Sequence, residues 1–279
     1  MIQKYSKKGK PVAIFLLGIW VLLTLAILGI TLMNSFKTSA EIYADILAFP
    51  SHLHWENFKN ALINSQMYRY MLNSLFIVGT TLIILTVICS MSAYVLSRFE
   101  FKGKKALVTS IVFGMSIPDL LMIIPLYRII SGAGFADTKE SLILVYTVLC
   151  ISFTVYVLMG YFSSLPNEVR ESAIIDGCTE TRAFWKIMFP LAKPGVFAAA
   201  SFNFVWMWNE YLLAMVFTSS SENRTMALGM YALQNSMTFT IDYGALFAGI
   251  VLMLIPAGII FICFHKYIIS GVTLGAVKG

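Results

Sequence analysis

The chain has 279 residues, of which 58% are hydrophobic and only 12% charged, with a formal net charge of +6. Soluble domains carry about 25% charged residues, so the composition excludes an ordinary soluble protein and fits a polytopic membrane protein. In such a chain the positive balance reports orientation in the bilayer rather than nucleic-acid binding.

The N-terminal "MIQKYSKKGK" precedes an apolar run far longer than the core of a signal peptide, without a small-residue cleavage site, and reads as a retained first span. A helix needs about 20 apolar residues to cross the hydrocarbon core. Six candidates follow in order: 12–36, 70–97, 106–130, 141–165, 195–218 and 243–265. The predicted fold is therefore all-α with six transmembrane helices. The second and fourth lie in stretches without a charge, whereas the third carries Asp119 and the fifth Glu210.

Between the first two spans, residues 37–69 predict a loop with a short interfacial helix. Its His52 and His54 read as polar surface rather than a metal pair. In the third span, Pro118 and Asp119 predict a locally opened helix facing a cavity, and Pro125 a second kink. The domain reading is 1–36 for the N-terminus and first helix, 37–69 for the loop, 70–268 for a five-helix core and 269–279 for a tail. The cysteines Cys89, Cys150, Cys178 and Cys263 have no paired spacing, so disulfides and zinc are not expected.

Lys and Arg resist translocation, so their distribution sets direction. Fourteen fall at the N-terminus, in the second-to-third loop, around 170–193 and at the C-terminus, against five in the opposite connections. Both termini and the loop at about 164–194 are thus expected on the cytoplasmic side.

That loop contains "ESAIIDGCTETRAFWKIMFP", residues 171–190. Asn167, after Pro166, is placed to cap a helix whose first turn holds Glu168 and Glu171, and Ala173, Ile174 and Ile175 give it an apolar surface. Gly177 is placed to end it in a left-handed conformation. A second helix from about Thr181, with Phe184, Ile187 and Met188 at helical spacing, is expected to stop at Pro190. A loop lying on lipid headgroups is the alternative, but Glu168, Glu171, Asp176 and Glu180 suit an anionic membrane surface badly.

Read as E-S-A, three residues, Gly177, nine residues and I-x-F-P, the stretch resembles the EAA loop of ABC-importer permeases, with Ser172 and Phe189 as mild departures. "YMLNSLFIVGTT", "IPLYRIISGAGFADT", "WNEYLLAM" and the terminal "GVTLGAVKG" are similar to the smaller six-span permease of maltose-type carbohydrate uptake. The resemblance implies a type I importer transmembrane domain in the bacterial cytoplasmic membrane. It also implies that Glu171, Ser172, Ala173, Asp176, Gly177, Phe184, Ile187 and Pro190 form a coupling helix that docks on a separate ATPase. The tail, with Gly271, Gly275, Lys278 and Gly279, is implied to reach the ATPase pair. The implied partners are a second related permease, two ATPase subunits and an extracytoplasmic solute-binding protein. This chain would hold no cofactor; ATP and magnesium belong to the ATPase.

The sequence has no Walker A pattern, GxSxG or HExxH, so no catalytic residue is assigned and ATP hydrolysis is expected on another chain. At 100° per residue, Asn203, Trp206, Met207 and Glu210 would share one face of the fifth span. Polar partners beside an aromatic plane suit a sugar, and with Asp119 they form the candidate solute path. Asn203 and Glu210 bonding to neighbouring helices, with Trp206 as packing, is the alternative. An ion-coupled secondary transporter using Glu210 and Asp119 is a second functional reading, which leaves residues 171–190 unexplained.

Overall fold

The structure, a computed structural model, describes residues 9–236 and 242–276. Helices α1 (Gly9–Asn34), α2 (Ser39–Ala44) and α3 (Glu56–Lys59) are followed by the long α4 (Met67–Arg98). Then come α5 (Lys104–Gly114), α6 (Asp119–Gly132), α7 (Lys139–Ser164), α8 (Asn167–Ile175) and α9 (Glu180–Ala183). The chain closes with α10 (Phe189–Asn209), α11 (Leu212–Phe217), α12 (Met226–Ser236) and α13 (Tyr243–Ala276). No strand occurs among the described residues.

Among the described residues, four helical stretches are long and apolar enough to cross a bilayer: Pro11–Asn34, Met67–Arg98, Lys139–Ser164 and Tyr243–Lys266. The predicted third span is two helices, α5 and α6, bent by 105°, and the pair passes the same test only together. Proline explains the break. Pro118 has no N–H to continue the ladder, its ring disfavours helical backbone at Ile117, and its own backbone is extended (ψ 130°). Pro125, by contrast, sits inside α6 without ending it. The predicted fifth span starts earlier, at Phe189, and breaks after Asn209. The sixth runs past 265 to Ala276, so Gly271 and Gly275 are helical; Lys278 and Gly279 lie outside the described residues.

The chain divides into two compact units. The first comprises Met1–Met67 and Met230–Leu254. In it α1 exposes apolar side chains on all sides, as a helix in lipid does. After α1 the chain is tied by polar groups. Asn57 donates to the Ser35 and Lys37 carbonyls (2.9 and 2.8 Å), and the buried Lys37 donates to the Asp45 and Ile46 carbonyls (both 3.2 Å). Thr38 and Glu41 form a reciprocal capping box on α2. The Glu41 carboxylate also accepts from the Ser51 hydroxyl and backbone, which with the Thr38 N–H holds its pKa down to about 2. Within the loop a short helix forms over α3 and a following π-helical turn, Asn60–Asn64. His52 is exposed, and His54 faces Glu41 at 3.8 Å.

The second unit, Tyr68–Gly229 with Ile255–Gly279, is built on close approach of α7 to its neighbours. The α10 backbone at Gly195 packs on the Tyr161 ring, where a Cβ would stand 2.2 Å from Cγ. Phe153 and Phe202 meet edge to face (6.2 Å), and Phe197 of α10 stacks on Phe264 of α13 (4.9 Å). Ser74 in α4 accepts the Met226 N–H (2.7 Å), while Asn73 donates to the Glu222 and Arg224 carbonyls (2.8 and 2.9 Å). The loop between α6 and α7 is held by Asp137, whose carboxylate accepts the Ser219 and Ser220 N–H groups (2.8 and 3.0 Å).

Candidate functional site

The hairpin at 166–190 is built from local rules. Helix α7 ends at Ser164 because Leu165 precedes Pro166 and both are extended (ψ 142° and 137°). Pro166 occupies the cap position of α8 without a side-chain bond, so Asn167 is its first residue and not its cap. The Asn167 side-chain oxygen instead accepts from the Arg98 guanidinium, which also reaches the Phe162 and Leu165 carbonyls. Charge explains the exchange: guanidinium is a stronger donor than a backbone N–H.

Gly177 has φ +82°, and the Gly177 and Cys178 N–H groups return to the Ile174 and Ala173 carbonyls (both 3.0 Å). This pair of bonds is a Schellman motif, the turn expected of the glycine. The Thr179 hydroxyl then caps α9 by accepting the Arg182 N–H (3.3 Å). Pro190 does not stop the second helix. Residues Phe184–Met188 form a π-helical turn, with the Phe189 N–H reaching the Phe184 carbonyl, and α10 runs on through Pro190. A wider turn removes the clash of a proline ring with the carbonyl four residues back.

Across the turn, the Glu180 carboxylate receives Arg170 through two nitrogens, Nε at 3.1 Å, and the Tyr94 hydroxyl of α4 at 3.1 Å. The Arg170 guanidinium lies 4.8 Å above the Phe99 ring. Ala173 and Phe184 of the candidate set are buried and fasten the hairpin from within. Glu171, Ser172, Asp176 and Gly177 are exposed, while Ile187 and Pro190 are half-buried. Ile175 is 84% exposed, and Ile174 and Trp185 of the same hairpin are also exposed.

The other candidate residues divide. Asp119, Asn203 and Trp206 line one cavity of about 290 Å³, with Met115, Phe153 and Phe202 among the remaining walls. The bend between α5 and α6 brings Asp119 there, at the first turn of α6, where the helix dipole favours an acid. No hydrogen bond or ion pair of its carboxylate occurs among the described residues. Asn203 is buried and donates to the Thr154 hydroxyl (2.8 Å), a tie between α10 and α7.

Met207 and Glu210 do not line that cavity. Glu210 lies beyond the end of α10 with extended backbone (ψ 127°), so the shared helical face does not reach it. Its carboxylate accepts the Leu213 and Ala214 N–H groups (2.6 and 3.2 Å) and the buried Tyr146 hydroxyl (2.8 Å). It caps α11. Tyr146 in turn meets Trp206 edge to face (5.6 Å). Sequence reasoning did not identify Arg98, Tyr94 or Tyr146 as partners, because each acts across more than 60 residues.

A family model described as "binding-protein-dependent transport system inner membrane component" matches residues 86–274. The chain is 36% identical over 263 residues to the diacetylchitobiose uptake system permease protein NgcG of Streptomyces coelicolor, covering 94% of this chain and 87% of that protein. It is 32% identical over 245 residues to the trehalose/maltose transport system permease protein MalG of Thermococcus litoralis, covering 88% and 83%. Its fold is similar to that of a chain in a bacterial ABC transporter involved in import of the acidic polysaccharide alginate. That match has a TM-score of 0.80 at 21% identity, over 94% of this chain and 98% of the other. With no Walker A lysine of its own and a family match over well over half its length, the chain belongs to the binding-protein-dependent transport system inner membrane components, the permease subunits of ABC importers.

Proposed function

We propose that this chain is the permease subunit of a carbohydrate importer and that its hairpin docks on a separate ATPase. One observation carries the docking: Ile175, 84% exposed, sits at the end of a helix closed by a left-handed glycine and braced from inside by Ala173 and Phe184. An apolar tip on a hairpin that also exposes Glu171, Asp176 and Arg182 suits a protein groove better than a bilayer surface. ATP and magnesium bind the ATPase. Closure of an ATPase pair draws this hairpin and its counterpart on a second, related permease together, and the helices reorient between inward- and outward-facing states.

A carbohydrate is supported by the cavity, where Asp119 and Asn203 offer hydrogen bonds beside the ring of Trp206. Sugars present hydroxyls and apolar C–H faces together. The substrates for which NgcG and MalG are named, diacetylchitobiose and trehalose/maltose, agree with this class. An extracytoplasmic solute-binding protein delivers the sugar. The chain crosses the membrane six times, with α5 and α6 as a broken third span and α10 with α11 as the fifth. Both termini and the hairpin face the cytoplasm, in line with the Lys and Arg distribution, and residues 271–279 extend towards the ATPase pair.

Purification through a tag on this chain tests the reading. An ATPase should co-isolate, and Ile175→Glu should release it while the membrane part stays folded. Uptake that persists without an ATPase and collapses with the proton gradient would overturn the proposal.

A further inference from the structure

The hairpin is covalently continuous with two transmembrane helices: α7 through Leu165 and Pro166, and α10 through the π-helical turn. Helix α4 has no such connection, since the chain leaves it at Arg98 for α5. Any displacement of the hairpin therefore reaches α7 and α10 along the backbone but reaches α4 only through side chains. Beside the hairpin those side chains form one cluster, while deeper in the bundle α4 packs on α7 and α10 through Leu82, Leu85 and Thr86. The Tyr94 hydroxyl of α4 donates to the Glu180 carboxylate (3.1 Å), which also clasps Arg170 of α8. Arg170 in turn covers Phe99, at the end of α4. The Tyr94 ring is packed by Phe99, Phe162 of α7 and Phe184 of the hairpin, with centroids at 5.8, 5.7 and 5.1 Å. Arg98 adds a second tie, from α4 to the last carbonyls of α7.

We propose that Glu180, held between Arg170 and Tyr94, is a positioning residue that latches α4 to the hairpin, so that α4 moves with α7 and α10 as one body when the ATPase moves the hairpin. The inference rests on the docking reading above. The link is directional by construction. The pair Arg170 and Glu180 joins the two hairpin helices to each other, whereas the Tyr94 hydroxyl joins that pair to α4. Removing the hydroxyl alone leaves the hairpin's internal pair and the aromatic packing in place. Glu180 and Arg170 are partly solvated (side chains 42% and 23% exposed), so the contribution to global stability is small and the role is geometric.

The test uses the tagged transporter isolated with its ATPase, in a background with Cys178→Ser and Cys263→Ser. Spin labels replace Ile83 of α4 and Tyr156 of α7, both exposed. The α4-to-α7 distance distribution is measured without nucleotide and after trapping with MgATP and vanadate. The wild type should give one narrow distribution in both states. Tyr94→Phe and Glu180→Gln should keep the ATPase bound and stay narrow without nucleotide, then broaden or shift on trapping. The double variant should be no worse than the worse single one, because both substitutions cut the same link. A distribution in Tyr94→Phe that stays as narrow as the wild type on trapping overturns the latch while leaving the docking reading intact. An ATPase missing from the wild-type preparation removes both.

Discussion

Replacing Gly177 separates a requirement for backbone conformation from a requirement for space. The residue stands at φ +82°, and a Cβ built there meets no heavy atom within 4 Å. The cost of a side chain is therefore conformational. For an L-residue the left-handed region costs about 1–2 kcal/mol, more for a β-branched one and less for asparagine. One to two kcal/mol changes a local equilibrium by a factor of about 5–30. Hydrogen exchange at the Cys178 amide, bonded to the Ala173 carbonyl at 3.0 Å, reads that equilibrium directly. Protection should fall in the order Gly, Asn, Ala, Val, with Gly177→Ala losing about 5–30-fold and retention of the ATPase following the same order. An asparagine variant as damaged as the valine one would refute the reasoning, because it would make side-chain bulk the controlling variable.

At Gly195 the opposite holds, since a Cβ would stand 2.2 Å from Tyr161 Cγ. Gly195→Ala should lower thermal stability in detergent by about 1–3 kcal/mol, and combining it with Tyr161→Ala should cost less than the sum of the two. Glu210→Ala leaves the Leu213 and Ala214 N–H groups and the buried Tyr146 hydroxyl without their acceptor, which should cost about 1–3 kcal/mol by the same melting assay. Glu210→Gln, which keeps an acceptor, should cost less. The Glu41 carboxylate, lowered from 4.5 to about 2 by Ser51 and Thr38, stabilises its loop fully only above the ordinary carboxylate range. Protection of the Ser51 amide should therefore weaken progressively as pH falls from about 5 towards 2, and Glu41→Gln should abolish that dependence.

What could be read in advance follows physical range. Gly177 was legible because a left-handed residue between two short amphipathic segments calls for glycine. The neighbourhood of Asn203 and Trp206 was legible because both lie inside one helix with a fixed angular step. Glu210 was not, because α10 ends one residue before it, and a helical wheel carries no sign of its own end. Pro190 was misread for a related reason. A proline stops an α-helix, but the π-helical turn at Phe184–Met188 absorbs it, and nothing in the spacing announces that turn. Arg170 and Glu180 are ten residues apart across a glycine turn, outside the three- and four-residue pairings of one helix. The placement of Asp119 was half visible. Pro118 predicted an opened helix, while the 105° bend that carries Asp119 to the cavity of Asn203 depends on packing against α7.

The most direct test of the docking role is a cross-link from the hairpin tip. In a Cys178→Ser, Cys263→Ser background, Ile175→Cys carrying a short photoreactive cross-linker should capture the ATPase subunit in the assembled transporter. The same probe at Ile83, in α4, should not. An assembled transporter whose ATPase is never captured from position 175 would contradict the account.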